Sequence, residues 1–214
     1  PLIALGFIYT QQQQFPQALT AYRNAIRLDP RNIDAYLSIG YVLTQQENLF
    51  GASAVYRQII ALLPTNIKAH LNLGYLLQRK GNLEEAFSTY MNANRLDPSN
   101  IDVLVALAGV SESKNDIAEA TEIYQRVLTL NPRHLKANIA IAQMSLDRGD
   151  FDGAISAYRS AASGQAGQLN TDTSAQIQRA IASTYLKQNN ISGAIIAYRD
   201  ILAKNSEDAL AHLA

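Results

Sequence analysis

Apolar and small residues along this chain fall three and four apart in short blocks, each block long enough for one amphipathic helix. Residues 67–100 show the pattern well. His70, Leu73, Gly74 and Leu77 share one helical face, and Ala86, Tyr90, Ala93 and Leu96 share another. Between the two blocks lies Lys80-Gly81-Asn82, where glycine supplies the left-handed geometry that ends a helix. Asp97-Pro98 stops the second block, because proline cannot continue it. The pattern predicts two helices joined by a tight turn.

That pair recurs. Alanine stands at 18, 52, 86, 120 and 154, and a tyrosine follows each four residues later at 22, 56, 90, 124 and 158. Prolines 30, 64, 98 and 132 keep the same step of 34, the period of a helix-turn-helix repeat. Turns equivalent to Gly81 use Asn115-Asp116, Gly149-Asp150 and Asn189-Asn190, residues suited to such turns. The glycine row (Gly40, Gly74) and the alanine row are expected to let paired helices approach closely, with the tyrosines filling space between successive units. Thr173 or Ser174 is expected to cap the helix after the fifth pair. The predicted fold is all-α, a stack of helix pairs that buries a continuous core and presents an extended surface rather than one enclosed active site.

The rhythm breaks once. Ala154 to Ala194 is a step of 40, so six residues are inserted, with Gly164 and Gly167 among polar neighbours. The organisation expected is units one to five over residues 1–166, an inserted loop at 167–174, unit six at 175–208 and the start of a seventh at 209–214. Pro1-Leu2-Ile3 already lies inside a repeat pattern, so the sequence is expected to be a piece of a longer protein.

Leu73-Gly74, Leu77, Ala86, Tyr90 and Leu96-Asp97-Pro98, with Tyr36, Ile39-Gly40, Ala52, Tyr56 and Pro64 before them, resemble the tetratricopeptide repeat family. The family's tryptophan is absent, and the glycine row drifts to Ala108, Ala142 and Ala182. The resemblance implies a right-handed superhelical solenoid of antiparallel helix pairs, with first helices lining a concave groove. It places Phe7, Tyr41 and Tyr75 on one inward row, Leu37 and Leu71 on its neighbour, and Gln45 and Arg79 on a third. Partner binding is therefore expected at Phe7, Leu37, Tyr41, Gln45, Lys68, Leu71, Asn72, Tyr75 and Arg79. Aromatic and arginine side chains favour such recognition. Some members clamp a partner's terminal carboxylate with lysines, asparagines and an arginine. Here only Lys68 and Asn72 fit, while Asp34, Ser38, Asp102 and Ala106 depart, so no clamp of that kind is expected.

Charge changes the picture little. Lysine plus arginine and aspartate plus glutamate number 18 each, which does not favour nucleic acid. Asp34, Lys68, Asp102 and Lys136 alternate in sign at the repeat step, and pairing between neighbours is expected to help register. Arg23, Arg57, Arg159 and Arg199 follow core tyrosines and are expected on a solvated outer face. His70, His134 and His212 lack metal-ligand spacing, and His70 is expected to pack as a core residue. No cysteine is present, and no serine-histidine-acid set or phosphate loop is assignable. No cofactor, metal or catalytic residue is expected. The function expected is a non-catalytic scaffold binding a peptide or helix of a partner protein; the alternative is the substrate-recruiting region of a larger enzyme such as a glycosyltransferase.

Overall fold

The computed structural model describes residues 1–163 and 171–204. Among them are twelve α-helices and no strand. Two compact units divide the chain, residues 1–114 and 115–214. Unit 1 holds α1 (Leu2–Gln11), α2 (Phe15–Leu28), α3 (Ile33–Gln45), α4 (Leu49–Leu62), α5 (Ile67–Arg79), α6 (Leu83–Leu96) and α7 (Ile101–Ser113). Unit 2 holds α8 (Ile117–Leu130), α9 (Leu135–Asp147), α10 (Phe151–Ser163), α11 (Thr171–Lys187) and α12 (Ile191–Lys204). Within each unit every helix packs on the next in sequence, and α1 and α5 also touch α3 and α7.

The turns explain why helices begin and end where they do. Asn32, Asn66 and Asn100 precede α3, α5 and α7, and their side chains accept from the N–H groups of Ala35, Ala69 and Val103 at 3.0, 2.8 and 3.2 Å. His134 takes the same place before α9 and accepts from Ala137 through Nδ1 at 3.3 Å. Each thereby satisfies a donor that an open helix start leaves free. A second row lies at the turns inside the pairs. Gln13, Glu47, Gly81, Asn115, Gly149 and Asn189 all have positive φ, from 57° to 79°. Glycine is expected there; glutamine and glutamate adopt it only against steric resistance.

The core of unit 1 is built on glycine against tyrosine. A Cβ placed on Gly6, Gly40 or Gly74 would meet the ring of Tyr22, Tyr56 or Tyr90 respectively, so only a bare backbone leaves room. Ala18, Ala52 and Ala86 are wholly buried, and the three tyrosines retain 2% exposure each. Tyr22 also packs with Ile39 and Val42 of the following pair, joining neighbours as expected. Burial pushes the Tyr56 and Tyr90 phenols above their ordinary range, so they stay neutral. In unit 2, Ala142 stands in the glycine row. With Tyr158 it joins Ile155, Ile177 and Ile181 in a core shared by α9, α10 and α11.

His70 is a packed side chain, as expected: it is buried, and its Nε2 lies 2.9 Å from the Pro64 carbonyl. Asn138, two repeats later, donates to the Pro132 carbonyl at 3.0 Å in the same way.

Leu96 ends α6 at 41% exposure. Three expectations need correction. Residues 171–174 are not loop: Thr171 opens α11, which is 17 residues long where α9 has 13, with Asp172 favouring its positive end. Thr173 and Ser174 consequently lie inside that helix and do not cap it. Asp34, Lys68, Asp102 and Lys136 are exposed and form no ion pair with one another. The ion pairs that do reach between helix pairs are Arg57–Glu85 at 2.6 Å, Arg79–Glu47 at 2.8 Å and Lys114–Glu84 at 3.0 Å. Residues 164–170 and the start of a seventh unit at 209–214 lie outside the described residues.

Candidate functional site

The first helices of unit 1 place a row of large side chains where no neighbouring helix covers them. Phe7 on α1, Tyr41 on α3 and Tyr75 on α5 are exposed by 57%, 52% and 48%. Their chain neighbours Gly6, Gly40 and Gly74, about 100° away around the helix, are buried against the core tyrosines. One helix face is therefore spent on the core and the next is left open, which is what the 3.6-residue period dictates.

Phe7, Leu37, Tyr41, Lys68 and Asn72 line a single cavity of about 410 Å³, floored by Tyr22 and Tyr56. Five of the nine expected binding residues meet there, from three successive first helices. Leu37 is half-buried, Lys68 is exposed, and Asn72 donates to the Lys68 carbonyl at 2.9 Å. This gives the cavity aromatic and aliphatic walls with one ammonium at its edge. Gln45 joins Tyr41 in an adjoining cavity of about 360 Å³ that also takes in Gln11, Gln13 and Phe15. Thr10, Gln11 and Tyr41 line both.

Leu71, Tyr75 and Arg79 stand apart from both cavities. Arg79 is already occupied. Its guanidinium sits 5.8 Å from the centre of the Tyr75 ring and donates to Glu47 at 2.8 Å. The hydrogen bond and charge of Glu47 push its pKa above the usual arginine value. A rim cation held this way is a weaker attractor for a partner's acid than the sequence suggests. The pattern carried a signal for this: Glu47 occupies the turn row in which Gly81 and Gly149 stand, and so has a side chain where none is needed for the turn.

Two elements of the site were not evident from spacing. Gln13 contributes to the smaller cavity through the short turn rather than through a helix face. Thr10 closes the floor: its hydroxyl donates to the Gly6 carbonyl at 2.8 Å and accepts from the Tyr22 hydroxyl at 3.2 Å. Thr44 repeats the bond to Gly40 at 2.8 Å. These bonds hold the core tyrosines beneath the cavity wall.

Among the described residues no cluster of histidine, cysteine, aspartate or glutamate is arranged to hold a metal. Outer-face arginines are engaged with neighbours: Arg57 with Glu85, and Arg159 with the Tyr185 hydroxyl at 2.8 Å. No described helix is long and apolar enough to cross a membrane.

Family models described as TPR repeat and tetratricopeptide repeat match residues 6–47, 55–87 and 112–169. No curated protein matches the sequence. Among solved structures, PilF of Pseudomonas aeruginosa superposes with a TM-score of 0.76 at 22% identity, covering 99% of this chain and 93% of that one. PilW, titled a widely conserved type IV pilus biogenesis factor, gives 0.74 at 18% identity over 99% and 96%. YrrB, titled a TPR protein with an unusual peptide-binding site, gives 0.66 at 20% identity over 90% and 96%. At such identities the likeness speaks for the fold alone. The helix pairs, their 34-residue step and three matched segments that together span more than half the residues lead to one conclusion: the chain belongs to the tetratricopeptide repeat family.

Proposed function

We propose that this chain is a non-catalytic protein-interaction scaffold that binds a peptide or short helix of a partner protein along the first-helix groove of unit 1. The observation that carries this reading is the open cavity between Phe7 and Tyr41. Large rigid side chains exposed by half or more are costly to leave in water unless something covers them, and they are the side chains favoured at the centres of interfaces. Buried Tyr22 and Tyr56 beneath them supply a firm floor, so little ordering is required on binding. The likeness to YrrB, whose title names a peptide-binding site, is consistent with the same use of the fold.

The test is capture of partners by this chain, followed by affinity measurement for the captured protein. Replacing Phe7 and Tyr41 together by alanine is expected to weaken binding by about 2 kcal/mol or more, the threshold for interface hot spots. Helical circular dichroism is expected to stay unchanged, because both residues are exposed. Unchanged affinity in the folded double variant would place the interface elsewhere.

A further inference from the structure

We infer that the smaller cavity, at the turn between α1 and α2, is a subsite for a neutral carboxamide, the side chain of an asparagine or glutamine in the bound segment. This rests on the groove reading above and adds the chemistry of one position in the ligand. The cavity of about 360 Å³ is lined by Thr10, Gln11, Gln13, Phe15, Tyr41 and Gln45, and none of these is charged. The carboxamides of Gln11, Gln13 and Gln45 and the phenol of Tyr41 make no hydrogen bond to another described group, so four polar ends point to solvent around one space.

Position 13 gives a second, independent sign. Its backbone is left-handed, with φ 57°, where the equivalent Gly81 and Gly149 meet no steric resistance. Glu47, the other long side chain at this turn position, has a use: it holds Arg79. Gln13 has no such intramolecular partner, and its side chain lines the cavity. A side chain kept at a strained position and turned toward an open polar space points to a ligand outside the chain.

The ligand's chemistry follows from the lining. A carboxylate or ammonium entering here would find no opposite charge and would surrender water for neutral dipoles. A carboxamide offers donors and an acceptor together, matching the mixed capacity of the glutamines. Because Thr10, Gln11 and Tyr41 also line the larger cavity, one extended segment passes through both, with an apolar side chain between Phe7 and Leu37 and the amide beyond Tyr41.

The test uses the full chain labelled with nitrogen-15 and pools of capped hexapeptides. Each pool carries leucine, phenylalanine or tyrosine beside one varied position, set to glutamine, asparagine, alanine, glutamate or lysine. The amide pools are expected to bind roughly three- to tenfold tighter than the alanine pool, the worth of one or two neutral hydrogen bonds. They are also expected to shift the side-chain amide signals of Gln11, Gln13 and Gln45. Gln13→Gly with Gln45→Ala is expected to erase that preference, so that the amide and alanine pools bind the variant alike. Equal binding by all pools, or tighter binding by a charged pool, overturns the carboxamide assignment and leaves the groove reading standing. If no pool perturbs signals around Phe7 and Tyr41, the groove reading fails and the subsite falls with it.

Discussion

A Cβ built on Gly74 would run into Cε1 of Tyr90, closer than two non-bonded carbons tolerate. The tyrosine ring fills the space a side chain would need, so the two residues act as one packing unit. Gly74→Val is therefore expected to destabilise the protein by about 1–3 kcal/mol through overpacking. Tyr90→Ala is expected to cost about 3–5 kcal/mol through the cavity left behind. Denaturant melts followed by circular dichroism measure both. Equal stability for Gly74→Val and wild type would show that α5 and α6 can separate without cost.

Position 13 offers a trade between stability and recognition. Replacing Gln13 by glycine removes the left-handed strain, and a gain on the order of 1 kcal/mol is expected. The reverse change, Gly81→Gln, is expected to lose a similar amount. A thermal melt checks the pair: opposite shifts support the backbone argument, while shifts of the same sign would refute it.

The caps separate two asparagines that look alike in sequence. Asn66 accepts from the Ala69 N–H, whereas Asn82 begins α6 without a side-chain cap bond. Asn66→Ala is expected to cost about 0.5–2 kcal/mol, and Asn82→Ala only a few tenths. Comparable losses from urea titration of the two variants would show that the capping bond is not what matters at these turns.

Acid should act on the turn before α7. Asp97 accepts from the Ser99 hydroxyl and backbone N–H at 2.8 and 3.1 Å, and from Asn100 at 3.3 Å, which hold its pKa below the ordinary carboxylate value. A depressed folded pKa means that the contribution is complete above the unfolded value, about 3.9, and is lost as pH falls through the folded one. Asp97→Asn is expected to flatten the decline in stability on the acid side and to leave the neutral range nearly unchanged. Asn131 shows that the amide fits, since it accepts from the Arg133 N–H at 3.2 Å in the equivalent turn. A midpoint-against-pH series in the two proteins decides it.

The repeating core was legible in the sequence because the alanine, tyrosine and glycine rows report backbone proximity directly, and that proximity recurs at every step. Phe7, Leu37, Tyr41, Lys68 and Asn72 could be placed together for the same reason: a fixed step puts equivalent residues side by side. Arg79 was harder. Its engagement with Glu47 depends on which rotamer a long side chain chooses, and no periodicity encodes that. Asp34 and Lys68 show the opposite error, since alternating signs at one register do not bring two exposed charges into contact. The run from Gln11 to Gln14 carried no period at all, and its part in a cavity came from the turn that folds it against α3. Thr173 and Ser174 were misplaced because cap-forming residues also occur inside helices when an earlier start is available.

The side-chain ties between pairs have a kinetic meaning. Arg57 reaches Glu85 across 28 residues, Arg79 reaches Glu47 across 32, and Gln188 reaches Asp152 across 36. Such links close soon after synthesis passes the second partner, so order can form behind the ribosome while later repeats are still being made. Contacts confined to neighbouring pairs keep the contact order low, and chains dominated by such contacts fold quickly. A growing chain of this kind exposes only its newest pair to misassembly, and each pair added becomes the template on which the next one settles.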